Sequence, residues 1–461
     1  MSRDDPKRPA PGWTLAMSIA ASSLSFIDGS VLNVALPALR QSLNAGAADV
    51  QWVVNAYTLP LAALILTGGA LGDHQGRRRW LVIGTALFGL ASLVCAVGNS
   101  LALLLAGRAL QGVGAALLLP NSLALLNSAY HGEARGRAVG IWAAAGAISA
   151  AIAPLIGGWL VAHAGWRAIF YINLPIAAAA IAIALAKVTE VKERKPSRLD
   201  AVGAILATLA LLGLTYGLTL WSADRALGPT APFALGAGLG LAIAFGWAEW
   251  RRGDKAMIPL AYFRDRAFVA LNLLTFLLYG AFGVSMLLIP YVLIDAGGYS
   301  PVEGGLALLP LSILMGLLSP LMGKLAQRVG PHWPLTIGPL LIAAAFLLAT
   351  RIAADQHYWP SVFPAMALMA AGMTIAVAPL TSAVLASVDA EHTGMVSGFN
   401  SALSRTGGLI ATALIGGVLG AEGKGLLHAF AGAMVVSAAV AAAASVTAFV
   451  GLAGKKGKPS G

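Results

Sequence analysis

Two charged side chains and a polar stripe carry the chemistry that this sequence has room for. Asp28 lies in SSLSFIDGSVLNVALPALR (22–40), a carboxylate with no basic neighbour in an otherwise apolar helical run. At 1.5 Å per residue it sits roughly 22 Å from the start of that run, past the middle of a hydrocarbon layer about 30 Å thick. Holding a charge at that depth costs at least ~2.5 kcal/mol, and such residues face a cavity or a partner. Burial favours a protonated carboxyl and a nearby cation favours the ionised form, so a carboxylate between those influences can load and release a proton. Arg108 is the second group. Gln111, Gly112 and Ala115 share its face at i+3, i+4 and i+7, one polar stripe pointing inward. A cavity role for Arg108 competes with snorkelling to the nearby headgroups. Arg405, in FNSALSRTGG (399–408), lies about ten residues into its own run, where cavity lining and pairing with helix carbonyls remain alternatives. Asn33, Gln111, Asn121 and Arg405 are the candidate cavity-lining residues, and Asp28 with Arg108 the candidate proton-coupling pair.

The elements that must position them are membrane spans. The 461 residues are 58% hydrophobic and 11% charged, with a mean hydropathy of +0.80. Soluble chains carry about a quarter charged residues. Turn residues and charges divide the chain into fourteen predicted spans: 13–36, 50–72, 79–98, 101–126, 138–162, 168–187, 200–221, 232–250, 268–293, 304–326, 333–351, 359–387, 395–420 and 428–453. With both ends cytoplasmic, 23 Lys and Arg fall inside and 5 outside, with Arg108 and Arg405 within spans. That bias fixes the expected orientation and explains the net charge of +11 without nucleic acid. The single cysteine, Cys95, excludes an intramolecular disulfide. No signal peptide is evident after MSRDDPKRP.

Two echoes mark an internal repeat. GALGDHQGRR (69–78) aligns with GKLAQRVGPH (323–332), 254 residues on, and PLIGGWL (154–160) with ALIGGVL (413–419), 259 residues on. The near-equal offsets predict two parallel six-helix halves around a midplane site. The expected division is a cytoplasmic N-terminus (1–12), an N-terminal half (13–187), a linker with two extra helices (188–267), a C-terminal half (268–453) and a basic tail (454–461). Because the repeat is complete without them, the two extra helices are expected to be peripheral to the transport path.

These residues carry a resemblance. GALGDHQGRR resembles the loop signature of the major facilitator superfamily, with Gly72 and His74 as departures. FIDGSVLNVALP (26–37) and WRAIFYINLP (166–175) resemble its fourteen-span drug:proton antiporter family, and RALQGVGAA (108–116) its fourth-span Arg motif. The resemblance implies an all-α polytopic fold of fourteen helices, two six-helix halves plus two inserted, and alternating access. It also implies a conformational latch of Gly69, Asp73, Gly76, Arg77 and Arg78, in which Asp73 and Arg77 hold the halves together in the outward-open state. The second loop copy has Gln327 where the first has Asp73, so the latch is expected to be asymmetric. Gly146, Pro154, Gly157 and Gly158 match an antiporter-motif helix, with Ala153 where that motif has glycine; packing is their direct reading and control of coupling the family's implication.

An enzyme is not expected: all seven histidines fall in or near predicted loops, and no G-x-x-x-x-G-K-[ST] motif offers ATP hydrolysis. Neither a ring of like charge nor a filter loop suggests a channel. The expectation is a proton-coupled secondary transporter of lipophilic, drug-like compounds, cationic ones first, acting as a monomer in the plasma (inner) membrane with no cofactor, its partners being the small-molecule substrate, protons and the bilayer. An anionic or zwitterionic metabolite is the alternative, because two embedded arginines face one deep acid.

Overall fold

In this computed structural model, residues 11–192, 200–223, 229–253, 260–353, 355, 357–388 and 393–453 are described. The expected termini therefore lie outside the described residues almost entirely. Long apolar runs form long helices because the backbone polar groups are then satisfied within each segment, the condition for crossing a hydrocarbon layer. The N-terminal half contains α1 (Pro11–Leu43), α2 (Ala47–Gln75), α3 (Arg77–Val97), α4 (Leu101–Ala129), α5 (Gly132–Ala164), and the short α6 (Ala168–Tyr171) that leads into α7 (Asn173–Lys187). Next come α8 (Ala201–Ala223) and α9 (Thr230–Arg252). The C-terminal half contains α10 (Arg266–Asp295), α11 (Pro301–Leu306), α12 (Leu309–Val329), α13 (His332–Ala349), α14 (Phe363–Ala386), α15 (Thr393–Ala413), α16 (Gly416–Leu419) and α17 (Gly423–Leu452).

Local chemistry sets the ends. Ser100 caps α4 by accepting from the Leu103 N–H, and Asp265 caps α10 by accepting from Ala267 and Phe268. Ser300 and Glu303 close a reciprocal capping box around Pro301 at the start of α11.

Among the described residues, thirteen helical segments are long and apolar enough to cross a membrane. The segment expected as the thirteenth of fourteen spans, 395–420, is not one of them. It forms α15, breaks after Ala413 and resumes as the short α16. Asn400, Ser401, Ser404, Arg405 and Thr406 make α15 too polar to resemble a lipid-facing span.

Of the two inserted helices, α9 packs against α8, and α8 makes the contacts with the rest of the bundle. α8 packs against α2 of one half and against α15 and α16 of the other. Ser222, near its C-terminal end, donates to the Ala413 carbonyl (2.6 Å) and accepts from the Gly416 N–H (3.3 Å), occupying backbone groups freed where α15 breaks. Gln51 of α2 also reaches Ser222, at 3.4 Å.

Other ties cross the seam between the halves at the same end, away from the Arg77–Arg79 loop. Arg40 of α1 donates to the Tyr291 hydroxyl of α10 (2.7 Å) and pairs with Glu422 (3.5 Å). Gln51 donates to the Thr412 carbonyl, at 2.8 Å. Backbones also meet there: Gly158 of α5 abuts the Pro301 carbonyl, and Gly305 of α11 abuts that of Pro154. A side chain at residue 158 has no room. Gly158→Val is therefore expected to hold this end ajar. Labelling of a reporter cysteine at Val302 in Cys95→Ser protein should rise roughly several-fold, given that close small-residue contact is what lets helices meet; an unchanged labelling rate contradicts the closure.

Candidate functional site

Asp28 and Arg108 come together in the N-terminal half. Arg108 Nη1 lies 2.5 Å from Asp28 Oδ2, and both side chains are 1% exposed. The same nitrogen donates to Gln111 Oε1 (2.9 Å), and Nε donates to the Val53 carbonyl (3.1 Å). Gln111 Nε2 donates to Asp28 Oδ1 (3.2 Å) and to the Ser92 hydroxyl (2.8 Å). Asn173 reaches the same hydroxyl, at 3.3 Å. The Arg108 guanidinium also stands 4.5 Å from the centre of the Tyr57 ring, whose hydroxyl bonds Ser25 of α1 at 2.6 Å.

Five helices therefore meet at one pair: α1 supplies Asp28, α2 Tyr57 and Val53, α3 Ser92, α4 Arg108 and Gln111, and α7 Asn173. The sequence explains the approach. Gly112, one turn beyond Arg108, presents no side chain to the Tyr57 carbonyl of α2, which a Cβ there would overlap. The expected face of Arg108 is thus split between function and fit: Gln111 joins the network, while Gly112 admits the neighbouring helix.

The other expected cavity residues separate. Asn33 is half-buried on α1, one turn beyond Gly29, which is exposed and has open space where a side chain would go. Asn121 is buried at 1% exposure and ties α4 to α2, donating to the Gly68 and Leu117 carbonyls. It is a packing residue in this structure rather than a cavity residue. Its amide also accounts for Gly72: any side chain there would overlap it. Arg405 is half-buried on α15, with Tyr57 of α2 and Tyr279 of α10 as its electrostatic neighbours.

The loop residues form a connected group at the end of the N-terminal half. Arg77 Nε donates to Asp73 Oδ1 (2.9 Å) and Nη1 to Ser128 of α4 (2.9 Å). Gly76 has φ +121°, a conformation that side chains resist, and Glu190 fills the space beside it. The Glu190 carboxylate accepts from the Arg78 and Arg79 N–H groups at 2.9 and 3.0 Å, capping α3 where unpaired donors and the helix dipole favour an anion. Arg78 Nη1 donates to the Val188 carbonyl, at 2.9 Å. Gly69 faces Pro120 at ordinary contact distance. The bonds named here join the N-terminal half to itself and to the first residues after it, Val188 and Glu190. In the second loop copy, the side chains of Gly323 and Gln327 lie outside the described residues.

The small-residue face of α5 is divided between two neighbours. Gly146 meets the Phe26 ring and Gly157 meets Val31, both on α1, whereas Pro154 and Gly158 meet α11 of the other half. Tyr57, Ser92, Glu190, Arg40 and Ser222 were not singled out from sequence. Asn173 had a signal, its place in WRAIFYINLP; the others had none that distinguishes them from ordinary polar residues.

The buried pair predicts non-additive stability. Arg108→Ala leaves Asp28 buried and unpaired, which costs about 3–5 kcal/mol. Adding Asp28→Asn should return part of that loss, so the double variant unfolds at a higher temperature than Arg108→Ala alone. Thermal unfolding of the four purified proteins measures it; strictly additive losses contradict the pairing.

Comparison with known proteins follows the same lines. The family model described as Major Facilitator Superfamily matches residues 19–263 and 271–461. The chain is 34% identical over 403 residues to the multidrug resistance protein Stp of Mycobacterium tuberculosis, covering 86% of this chain and 73% of that protein. It is 32% identical over 416 residues to the tetracenomycin C resistance and export protein of Streptomyces glaucescens, covering 88% and 75%. With the methylenomycin A resistance protein of Bacillus subtilis it shares 32% over 400 residues, covering 86% and 85%. The solved structure of the POT family transporter PepTSo superposes with a TM-score of 0.71, covering 95% of this chain and 97% of that one. At 14% identity that likeness concerns the fold alone.

Proposed function

The chain belongs to the major facilitator superfamily, and on that premise we propose that it is a proton-coupled exporter of lipophilic, drug-like compounds working by alternating access. It is a transporter and not an enzyme. Three relatives at 32–34% identity are named for resistance or export, which supports efflux as the direction. The observation that carries proton coupling is the Asp28–Arg108 pair, buried to 1% and bonded at 2.5 Å.

Opposite charges about 4 Å apart at an effective dielectric of 20 attract by about 4 kcal/mol. A proton on Asp28 removes that attraction and leaves Arg108 to Gln111, the Val53 carbonyl and the Tyr57 ring. The two protonation states then differ in how firmly α1 is held to α4. A ligand shifts a conformational equilibrium only by such a differential interaction. Proton binding favours one access state, proton release the other, and the substrate leaves in the opposite sense.

Further assignments belong to the same reading. α15 counts as a crossing, giving fourteen in two six-helix halves plus α8 and α9, as in the drug:proton antiporter family. The Arg77–Arg79 end is cytoplasmic by its basic charge, in an inner membrane with both termini inside. The closure at Arg40, Gln51 and Gly158 is then an outer closure, and this conformation opens inward. Asp73, Arg77 and Arg78, with Gly69 and Gly76, act as a latch in the other state, and α5 is the surface on which the halves rock. The transporter works as a monomer. As for substrate charge, a cation would need a carboxylate released from Arg108; the alternative, an acidic substrate, is favoured by Arg405.

Asp28→Asn keeps the shape and loses the titration, so efflux by inserted, folded protein should drop to background and its pH response should vanish. Reconstituted transport across an imposed pH gradient tests this, and a pH response like that of the unaltered protein would sink the proposal. Asp73→Ala should slow turnover about tenfold with substrate affinity retained, because the latch is remote from the cavity. Loss of equilibrium binding with normal kinetics contradicts that role.

A further inference from the structure

Arg405 is the charge left over when the Asp28–Arg108 pair is accounted for. Asp28 is closed off by Arg108 and Gln111. Arg405 has neither an ion pair nor a hydrogen bond among the described residues, although it sits about twelve residues, or roughly 18 Å, into α15. Snorkelling from that depth is out of reach for a side chain of its length, and a half-buried guanidinium without a protein partner at that depth faces a cavity. Pairing with helix carbonyls, the bland alternative, is not what the structure contains.

The surroundings point to a guest. Its electrostatic neighbours are Tyr57, from α2 of the N-terminal half, and Tyr279, from α10 of the C-terminal half, so Arg405 stands at the seam. The Arg108 guanidinium stands 4.5 Å from the centre of the same Tyr57 ring. A polar cavity of about 130 Å³ opens one turn away along α15, lined by Tyr279, Ser397, Asn400, Ser401 and Ser404 among others. Aromatic side chains, neutral hydrogen-bonding groups and one uncompensated guanidinium make a set that accepts a negative charge on an apolar frame. Counting fixed charges, one carboxylate against two guanidinium groups leaves the site positive by one unit when Asp28 is ionised.

We propose that Arg405 anchors an ionised acidic group of the exported compound, a carboxylate, sulfonate or phenolate on an aromatic or lipophilic frame, at the seam between Tyr57 and Tyr279. This rests on the export reading above and selects its substrate class. The anion binds a group other than Asp28, so proton and substrate are exchanged through the access state and not by displacement at one carboxylate.

The test uses two probes on one ring system whose charges do not titrate: 1-pyrenesulfonate and (1-pyrenyl)methyltrimethylammonium. Their transport is measured in proteoliposomes of the full chain under an imposed proton gradient. The unaltered protein is expected to carry the sulfonate. Arg405→Gln should raise the KM for the sulfonate by about tenfold or more, the scale of one charge-assisted contact, and leave that for any transport of the ammonium within about twofold. Arg405→Lys should recover part of the sulfonate affinity, and it carries the test alone if the Gln variant does not fold. An unchanged sulfonate KM, an equal rise for both probes, or transport of the ammonium alone by the unaltered protein overturns the assignment of Arg405 and leaves the export reading standing. Movement of neither probe by folded, unaltered protein overturns the export reading and this inference with it.

Discussion

A carboxylate and a guanidinium, each 1% exposed and 2.5 Å apart, impose conditions on everything packed around them. Taking two such ions out of water costs several kcal/mol apiece, and their attraction offsets this only where the remaining donors and acceptors are also satisfied. The N-terminal half meets that condition with contributions from five helices. Val53 offers a carbonyl, Gln111 both ends of its amide, Ser92 a hydroxyl and Tyr57 the face of its ring. Each requires its helix at a fixed height and rotation. The small residues of α4 follow from the same demand, since Arg108 reaches Val53 only if α2 and α4 lie close together.

The contacts that join the two halves are of another kind. Arg40, Glu422, Gln51, Thr412 and Ser222 are near one end of the bundle, several of them partly exposed, and their ties involve surface ion pairs or backbone carbonyls. Such interactions contribute about 1 kcal/mol each or less. The N-terminal half is thus built on a buried ionic network, whereas the polar ties across the seam are individually weak and accompany an apolar core that includes residues of both halves. Small-residue contacts between α5 and α11 suit that seam, because they allow close approach without interlocking side chains. α8 adds to it by supplying a hydroxyl where α15 interrupts its own backbone ladder.

The halves also differ in charge. In the N-terminal half the embedded arginine has its carboxylate; in the C-terminal half Arg405 has none among the described residues. The buried ion pair thus lies in one half and an arginine without a carboxylate partner among the described residues in the other. In the proposed mechanism, one half responds to protonation while the other meets the cargo.

What the sequence determined by itself was whatever depends on local composition and periodicity. Apolar runs of bilayer length were bound to be helices, since an unpaired backbone has no partner in hydrocarbon. A carboxylate and an arginine within such runs were bound to be exceptional, since burying a charge is expensive wherever it happens. Residue type and spacing alone therefore single out Asp28, Arg108 and Gln111. The tertiary structure decided which of the exceptional residues would share a contact. Asn121 matched the pattern of a cavity residue and became a clamp against Gly72. Ser92 and Tyr57 looked ordinary and became part of the network. One inserted helix, α8, came to lie against α2, α15 and α16, and α15 broke where a serine from α8 could receive it. Periodicity fixes the face of a helix on which a residue lies, but not which helix that face will meet. That is settled by packing between segments hundreds of residues apart, where the height and rotation of each helix are set by all its neighbours together.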